Sequence, residues 1–290
     1  MNTSLDCLPC FLKQTLQTVR LATDNPVLQK EILDRIARLL PEIDFELSPP
    51  ENSVRVYDTI AEMTGCPDPF RVIKHTSNKL GKALLPLVQK TIDTAPDPLY
   101  TAFLYSVAAN IIDYGANHDC DAEATIKDCI KQTFTIHDYS QFNKDITTAK
   151  NLLYLGDNSG EIVFDTLVIK QLQSKFPQLN IVFVVKQRAI INDALLEDAA
   201  FCNLQEVCTV IDNGTGCPGS PLGECSAEFT EYYNKADIII SKGQGNFETL
   251  SEQTGLYFLL ICKCPVVGEH LQTLSGQEIH LGDLIFYHRV

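Results

Sequence analysis

Apolar positions change their rhythm once along the chain, near Lys150. Before that point they recur at steps of three and four, as in helices with one buried face. Cys10, Leu12, Leu16 and Val19 form one such series, with Asp6 placed to cap it. Leu28, Ile32, Leu33, Ile36, Leu39 and Leu40 form a second, which Pro41 stops. The same spacing predicts helices over 53–64, 70–92, 99–114 and 122–134. The separators TGCPDP, DTAPDP and GANHDCD are rich in residues that break or cap helices.

After Lys150, short continuous apolar runs alternate with amphipathic stretches. NLLYL (151–155) and IVFVV (181–185) are followed by candidate strands at 207–211, 237–241 and 256–262. Strands buried on both faces and separated by helices predict a largely parallel sheet. The expected fold class is therefore α/β, a mostly parallel sheet domain preceded by an all-helical N-terminal domain. The division falls at 1–148 and 149–290. No Ser/Gly/Pro linker separates the halves, which predicts that they pack intimately.

Composition narrows the function classes. The 290-residue chain has 23 basic and 37 acidic residues, a formal charge of −14. Such a surface repels phosphate backbones, so no nucleic-acid partner is expected, and an anionic substrate needs a local cation. No apolar run approaches the ~20 residues of a membrane span, so no membrane partner is expected. The first residues, MNTSLDCLPCFLKQ, lack a basic start followed by an apolar run. Eleven cysteines cannot all pair, and a reducing cytoplasm suits them.

In an open α/β sheet, ligands bind beyond the carboxyl ends of the strands. The first such end reads GDNSGE (156–161), where Asp157 and Asn158 offer adjacent hard oxygens suited to Mg²⁺ or Mn²⁺. The same residues also suit a helix cap. INDA (191–194) puts Asp193 after the second strand, again either a ligand or a cap. Two carboxylates and an amide oxygen at one sheet edge would repel each other without a cation between them.

SKGQGNFE (241–248) supplies Lys242, then Gly243, Gln244, Gly245 and Asn246, a loop suited to an oxyanion. The bland alternative is a glycine turn with a solvated lysine. Lys263, between Cys262 and Cys264, is costly to bury inside a strand and is placed at its end, towards the same site.

Other chemistries fit less well. GxGxxG does not follow the first strand, and Lys186 stands where a nicotinamide site wants an acid. Walker A, GxSxG and HExxH patterns are missing, and Ser159 occupies the second Asp of a D-x-D nucleophile motif. Cys7-Leu8-Pro9-Cys10 is a C-x-x-C at a predicted helix start, where thiols acquire lowered pKa values. It leaves a thiol or zinc protein open as an alternative. Asn110 and Asp113 share a helix face amid apolar residues, bracing the domain interface or reaching the site.

GDNSGE, INDA, SKGQGNFE and KCPV, behind LDCLPC and AANIIDYG, together resemble the damage-control phosphatases, long labelled domain of unknown function 89. The CxxC start is similar to their prokaryotic branch. The resemblance implies a helical part packed on a Rossmann-like domain. It also implies hydrolysis of small phosphorylated metabolites, such as sugar phosphates or damaged by-products, with a divalent metal (Mn²⁺, Co²⁺, Ni²⁺ or Mg²⁺). Its metal ligands match Asp157, Asn158 and Asp193, and its substrate-contacting K-G-x-x-N matches Lys242, Gly243 and Asn246. Its later lysine matches Lys263. The expected catalytic set is Asp157, Asn158, Asp193 and Lys242, and a non-catalytic phosphometabolite or nucleotide sensor is the alternative use of the pocket.

Overall fold

A computed structural model describes residues 1–114 and 131–290, with the side chains of 110–114 outside the description. The side chains of Asn110 and Asp113, and most of the helix expected at 122–134, therefore lie outside the description.

The N-terminal part is built from α1 (Cys7–Ala22), α2 (Pro26–Leu39), α3 (Pro49–Thr64), α4 (Arg71–Asp93) and α5 (Pro98–Tyr114). Local chemistry sets their ends. Asn25 caps α2 through the amides of Val27 and Leu28, with Pro26 at the first turn. Ser48 and Glu51 form a capping box on α3, which closes at left-handed Gly65. Asp6 occupies the cap position of α1, but its side chain makes no capping bond. Helices α1–α3 share a small core around Val19, Ile32, Ile36, Val56 and Ile60.

The sheet has seven strands: β1 (Phe134–His137), β2 (Asn151–Leu155), β3 (Asn180–Val185), β4 (Thr209–Asp212), β5 (Ile238–Lys242), β6 (Leu256–Ile261) and β7 (Leu284–Arg289). Their order is β1-β7-β6-β5-β2-β3-β4. All neighbouring pairs are parallel except β6 with β7, so the sheet is mostly parallel, as expected for the α/β class. Two strands differ from the sequence expectation. Phe134, placed at the end of a helix and inside the helical part, begins edge strand β1, and β7 had no counterpart. Both are paired only through tertiary contact, β1 on β7 and β7 on β6.

Alternation within each strand divides the apolar side chains between two cores. Leu152, Tyr154, Ile181, Phe183 and Ile240 face α4, α5 and α7 (Glu161–Lys175). Leu153, Leu155, Val182, Val184 and Ile239 face α9 (Ala227–Lys235), α10 (Gln244–Leu250) and α11 (Pro265–Ser275). Two short helices, α6 (Tyr139–Asp145) and α8 (Leu196–Phe201), complete the set. Helix α7 is enclosed by the sheet and by α4 and α5, and every residue from Glu161 to Ile169 is buried. That burial explains why its sequence is apolar on nearly all sides.

The chain reverses its direction of travel across the sheet between β2 and β5, which are neighbours. Such a switch point leaves a crevice beyond the strand ends, where the two following loops part.

Candidate active site

The crevice at the switch point is floored by the loops after β2 and β5. It is a small cleft of about 200 Å³ lined by Asp157, Glu161, Lys242, Gly243, Gln244 and Lys263, with Val107 and the end of β6. Gly243 has φ +83°, and a Cβ there would lie 2.1 Å from Asp157 Cγ, so only glycine lets the two loops approach.

The loop after β3 joins the loop after β2 through backbone contacts. Ala194 N donates to Asp157 O (2.9 Å), Ser159 N donates to Asn192 O (2.9 Å), and Asn158 and Asp193 form an isolated antiparallel bridge. The three expected metal-ligating residues are thereby brought into one place. All are buried: Asp157 is 7% exposed, Asn158 5% and Asp193 1%. None caps a helix with its side chain. The cap of α7 is Gly160 and that of α8 is Leu195, so the capping alternative does not explain these residues.

Asn158 Nδ2 donates to Asp157 Oδ2 (3.1 Å) and to Glu161 Oε1 (2.7 Å). With its amide hydrogens committed inward, what Asn158 has to offer a cation is its carbonyl oxygen. Asp193 Oδ2 is buried without a hydrogen bond, 3.8 Å from the Lys186 ammonium. Burial lifts the Asp157 carboxyl above its ordinary range, against the pull of Lys263, Lys242 and Lys186. Glu161 is raised well above its usual value by burial and then by Asp157. Asp193 is pushed up to about 7 by burial, with Lys186 opposing and Asp157 adding to the shift. Burial is the larger cause in all three, and Asp157 adds to the shifts of Glu161 and Asp193. An orphaned Asp193 oxygen and hard oxygen donors fit a small divalent cation. Among the described residues, no set of three or more His, Cys, Asp or Glu side chains converges in ligating geometry. Two carboxylates and an amide oxygen would hold such a cation with positions left over for water and substrate.

Lys242 is not a solvated turn residue. It is 1% exposed, and its ammonium donates to Asp165 Oδ1 (2.9 Å) and to Ser106 O (3.0 Å), 3.9 Å from Glu161. Burial works to lower its pKa, but Asp165 and Glu161 outweigh it and raise the value overall, which secures the charge. Lys263 is exposed at the rim, just beyond the end of β6. Its backbone amide donates to Gln244 Oε1 (3.0 Å).

Two residues of the expected substrate loop face elsewhere. Asn246 is a buried strut: Nδ2 donates to Gly156 O and Lys242 O, while Oδ1 accepts from Lys186 and Ser220. Gly245 lies against the carbonyl of Pro218, where a Cβ would come within 1.8 Å. Asp165, Lys186 and Ser106 complete the surroundings and were not singled out as site residues from the sequence.

A larger cleft of about 350 Å³ lies beside α3 and the 188–191 loop, but its charges are already paired. Arg188 meets Asp58 at 2.7 Å, and Asp68 meets Lys74 at 2.7 Å. Cys10 sits at the surface near Cys7, and its thiol is pushed up rather than down, by surrounding protein and then by Cys7. The reactive-thiol expectation for Cys10 is corrected accordingly, since the protein packed around it outweighs the helix start.

A family model described as "Damage-control phosphatase ARMT1-like domain" matches residues 3–279. The chain belongs to the damage-control phosphatase family. It is 30% identical over 280 residues to a damage-control phosphatase of Pyrococcus horikoshii, covering 95% of this chain and 96% of that one. A damage-control phosphatase of Archaeoglobus fulgidus is 29% identical, with 98% of each chain covered. A crystal structure of a DUF89 family protein from Pyrococcus horikoshii superposes with a TM-score of 0.91 at 29% identity over the whole of both chains. Among the described residues, no helix is long and apolar enough to cross a membrane.

Proposed function

We propose that this protein is a metal-dependent phosphomonoesterase acting on small phosphorylated metabolites, with Asp157, Asn158 and Asp193 as the metal ligands. The observation that carries this reading is the buried meeting of Asp157, Asn158 and Asp193, with an Asp193 oxygen that accepts no hydrogen bond, at a cleft that Lys242 and Lys263 also line. The family's named activity agrees with it. Mn²⁺, Co²⁺, Ni²⁺ and Mg²⁺ all suit oxygen ligands with open positions, and such a cation supplies Lewis acidity towards a phosphoryl oxygen and acidifies water.

The chain's own residues do the rest. Lys263 at the rim draws the dianionic group into an otherwise acidic surface. Lys242, its charge fixed by Asp165, offsets negative charge gathering on the transferring phosphoryl group. Glu161, which lines the cleft, accepts from Asn158 Nδ2 and so orients the amide whose carbonyl is left for the cation. Free cysteines throughout the described chain suit a cytoplasmic setting.

The test is hydrolysis of an aryl phosphate with each divalent metal, followed by a panel of sugar phosphates and nucleotides. Activity should require metal, stop with chelator, and vanish in Asp157→Ala and Asp193→Ala with the fold retained. Wild-type turnover in both variants would overturn the assignment. Tight phosphate binding without any turnover would instead make the pocket a sensor.

A further inference from the structure

Helix α4 reaches both loops that carry the proposed ligands from one side chain, the first directly and the second through Asp198 of α8. Asn78 is 2% exposed, midway along α4. Its Oδ1 accepts from Gly160 N at 2.7 Å, in the loop that bears Asp157 and Asn158. Its Nδ2 donates to Asp198 Oδ1 at 2.6 Å. The other oxygen of Asp198 accepts from Leu195 N at 2.8 Å, two residues beyond Asp193. The helix lies close against the first loop. A Cβ on Gly81 would stand 3.0 Å from Gly160 O, and one on Gly160 would stand 2.8 Å from Ser77 Cβ. Backbone contact at that distance leaves little room for the loop to shift without α4.

We propose that Asn78 is a positioning residue that clamps the two ligand-bearing loops at a fixed separation and so sets the affinity of the site for its cation. The proposal rests on the metal-dependent reading above. An amide is the side chain that can accept from a backbone N–H and donate to a carboxylate at once. It also ties the helical part of the chain to the chemistry, because the docking of α4 and the spacing of Asp157 and Asp193 become one event. Outer partners of this kind commonly control metal affinity about 10–100-fold.

The full chain is titrated with Mn²⁺ by calorimetry as wild type, Asn78→Ala, Asn78→Asp and the double variant Asn78→Asp/Asp198→Asn. Asn78→Asp removes the donor and sets two carboxylates face to face. The double variant reverses the polarity, so that the amide at 198 donates to the carboxylate at 78 while both backbone amides keep their acceptors. Asn78→Ala and Asn78→Asp should weaken Mn²⁺ binding about tenfold or more, and the double variant should return close to wild type. Wild-type affinity in Asn78→Ala, or a double variant no better than Asn78→Asp, would overturn the clamp. Should Asn78→Ala not fold, the Asn78→Asp and double-variant pair decides. If wild type binds no Mn²⁺, the metal-dependent reading falls, and the clamp is judged by hydrogen exchange. The Gly160 and Leu195 amides should then both exchange faster in Asn78→Asp and recover in the double variant, and unchanged rates would sink it.

Discussion

The Lys242 ammonium donates to Asp165 Oδ1 at 2.9 Å, joining residues 77 positions apart in the chain. The same carboxylate oxygen accepts from Ser106 Oγ (2.5 Å) and Tyr154 OH (2.7 Å), and both charged groups are buried. Removing one partner of a buried ion pair leaves the other uncompensated in a poor solvent for charge. Asp165→Ala is therefore expected to destabilise the protein by about 3–5 kcal/mol. Asp165→Asn, which keeps a hydrogen-bonding group for Lys242, should cost less. Urea unfolding midpoints measure both, and an Asp165→Ala chain as stable as wild type would show that Lys242 is neutralised by another group.

Asp157, Asn158, Asp193, Lys242 and Lys263 could be singled out because each follows a strand, and the switch-point geometry makes those ends meet. Asp165 stands within IVFDTLVI, four residues after Glu161 on the same helix face, and that spacing was the available signal. It passes for an ordinary helical polar residue because only the folded chain brings Ser106, Tyr154 and Lys242 to it. Lys186 was visible at the end of β3, but its partners Gly219, Asn246 and Asp193 come from three other segments. Asn246 was given a substrate contact by the resemblance of K-G-x-x-N to the family's motif, whereas its side chain braces Gly156 and Lys186. The parallel core of the sheet was legible as apolar runs; the LIFY run of β7 carried the same signal and was passed over, while β1 is a four-residue edge strand paired only with β7.

Gly243 is expected to be intolerant for a reason separable from backbone strain. Gly243 has φ +83° and ψ 162°, a region essentially reserved for glycine, so alanine there costs about 1–3 kcal/mol and also drives a methyl group into the Asp157 carboxylate. Gly276, left-handed at φ +71° with open space around it, carries a milder strain and no clash. Gly243→Ala should lower kcat/KM on the order of a hundredfold through displaced geometry, whereas Gly276→Ala should only reduce stability slightly. Equal kinetics in the two variants would mean that the Asp157 carboxylate does not need its present position.

Lys242 and Lys263 should separate under mutation. Lys263 is exposed at the rim, so Lys263→Ala should leave the unfolding midpoint nearly unchanged while weakening inhibition by inorganic phosphate. Lys242→Ala should weaken phosphate inhibition and also lower the unfolding midpoint, since it strands Asp165 among Ser106 and Tyr154. Phosphate inhibition constants read beside thermal midpoints check this. If Lys263→Ala is inhibited by phosphate as strongly as wild type, the rim lysine takes no part in binding.

Glu248 supplies a pH signature outside the ligand set. Its carboxyl is buried, accepts from Gln244 Nε2 at 2.9 Å, and is pushed from 4.5 up to about 7, chiefly by burial, with Gln244, the terminal ammonium and Lys263 opposing. The folded chain therefore keeps a proton that the unfolded chain releases above 4.5. Between those two values the native state binds more protons, so stability falls as pH rises through the window and levels off above it. Glu248→Gln retains an acceptor for Gln244 and has no charge to bury. It should match wild type near pH 4 and be the more stable protein at about pH 8, as read from urea midpoints across the range. Because Gln244 also holds the Lys263 backbone, the substitution should leave the rim of the cleft in place and phosphate binding intact. Parallel pH profiles for the two proteins would show that Glu248 is already ionised in the folded state and that its charge is compensated there.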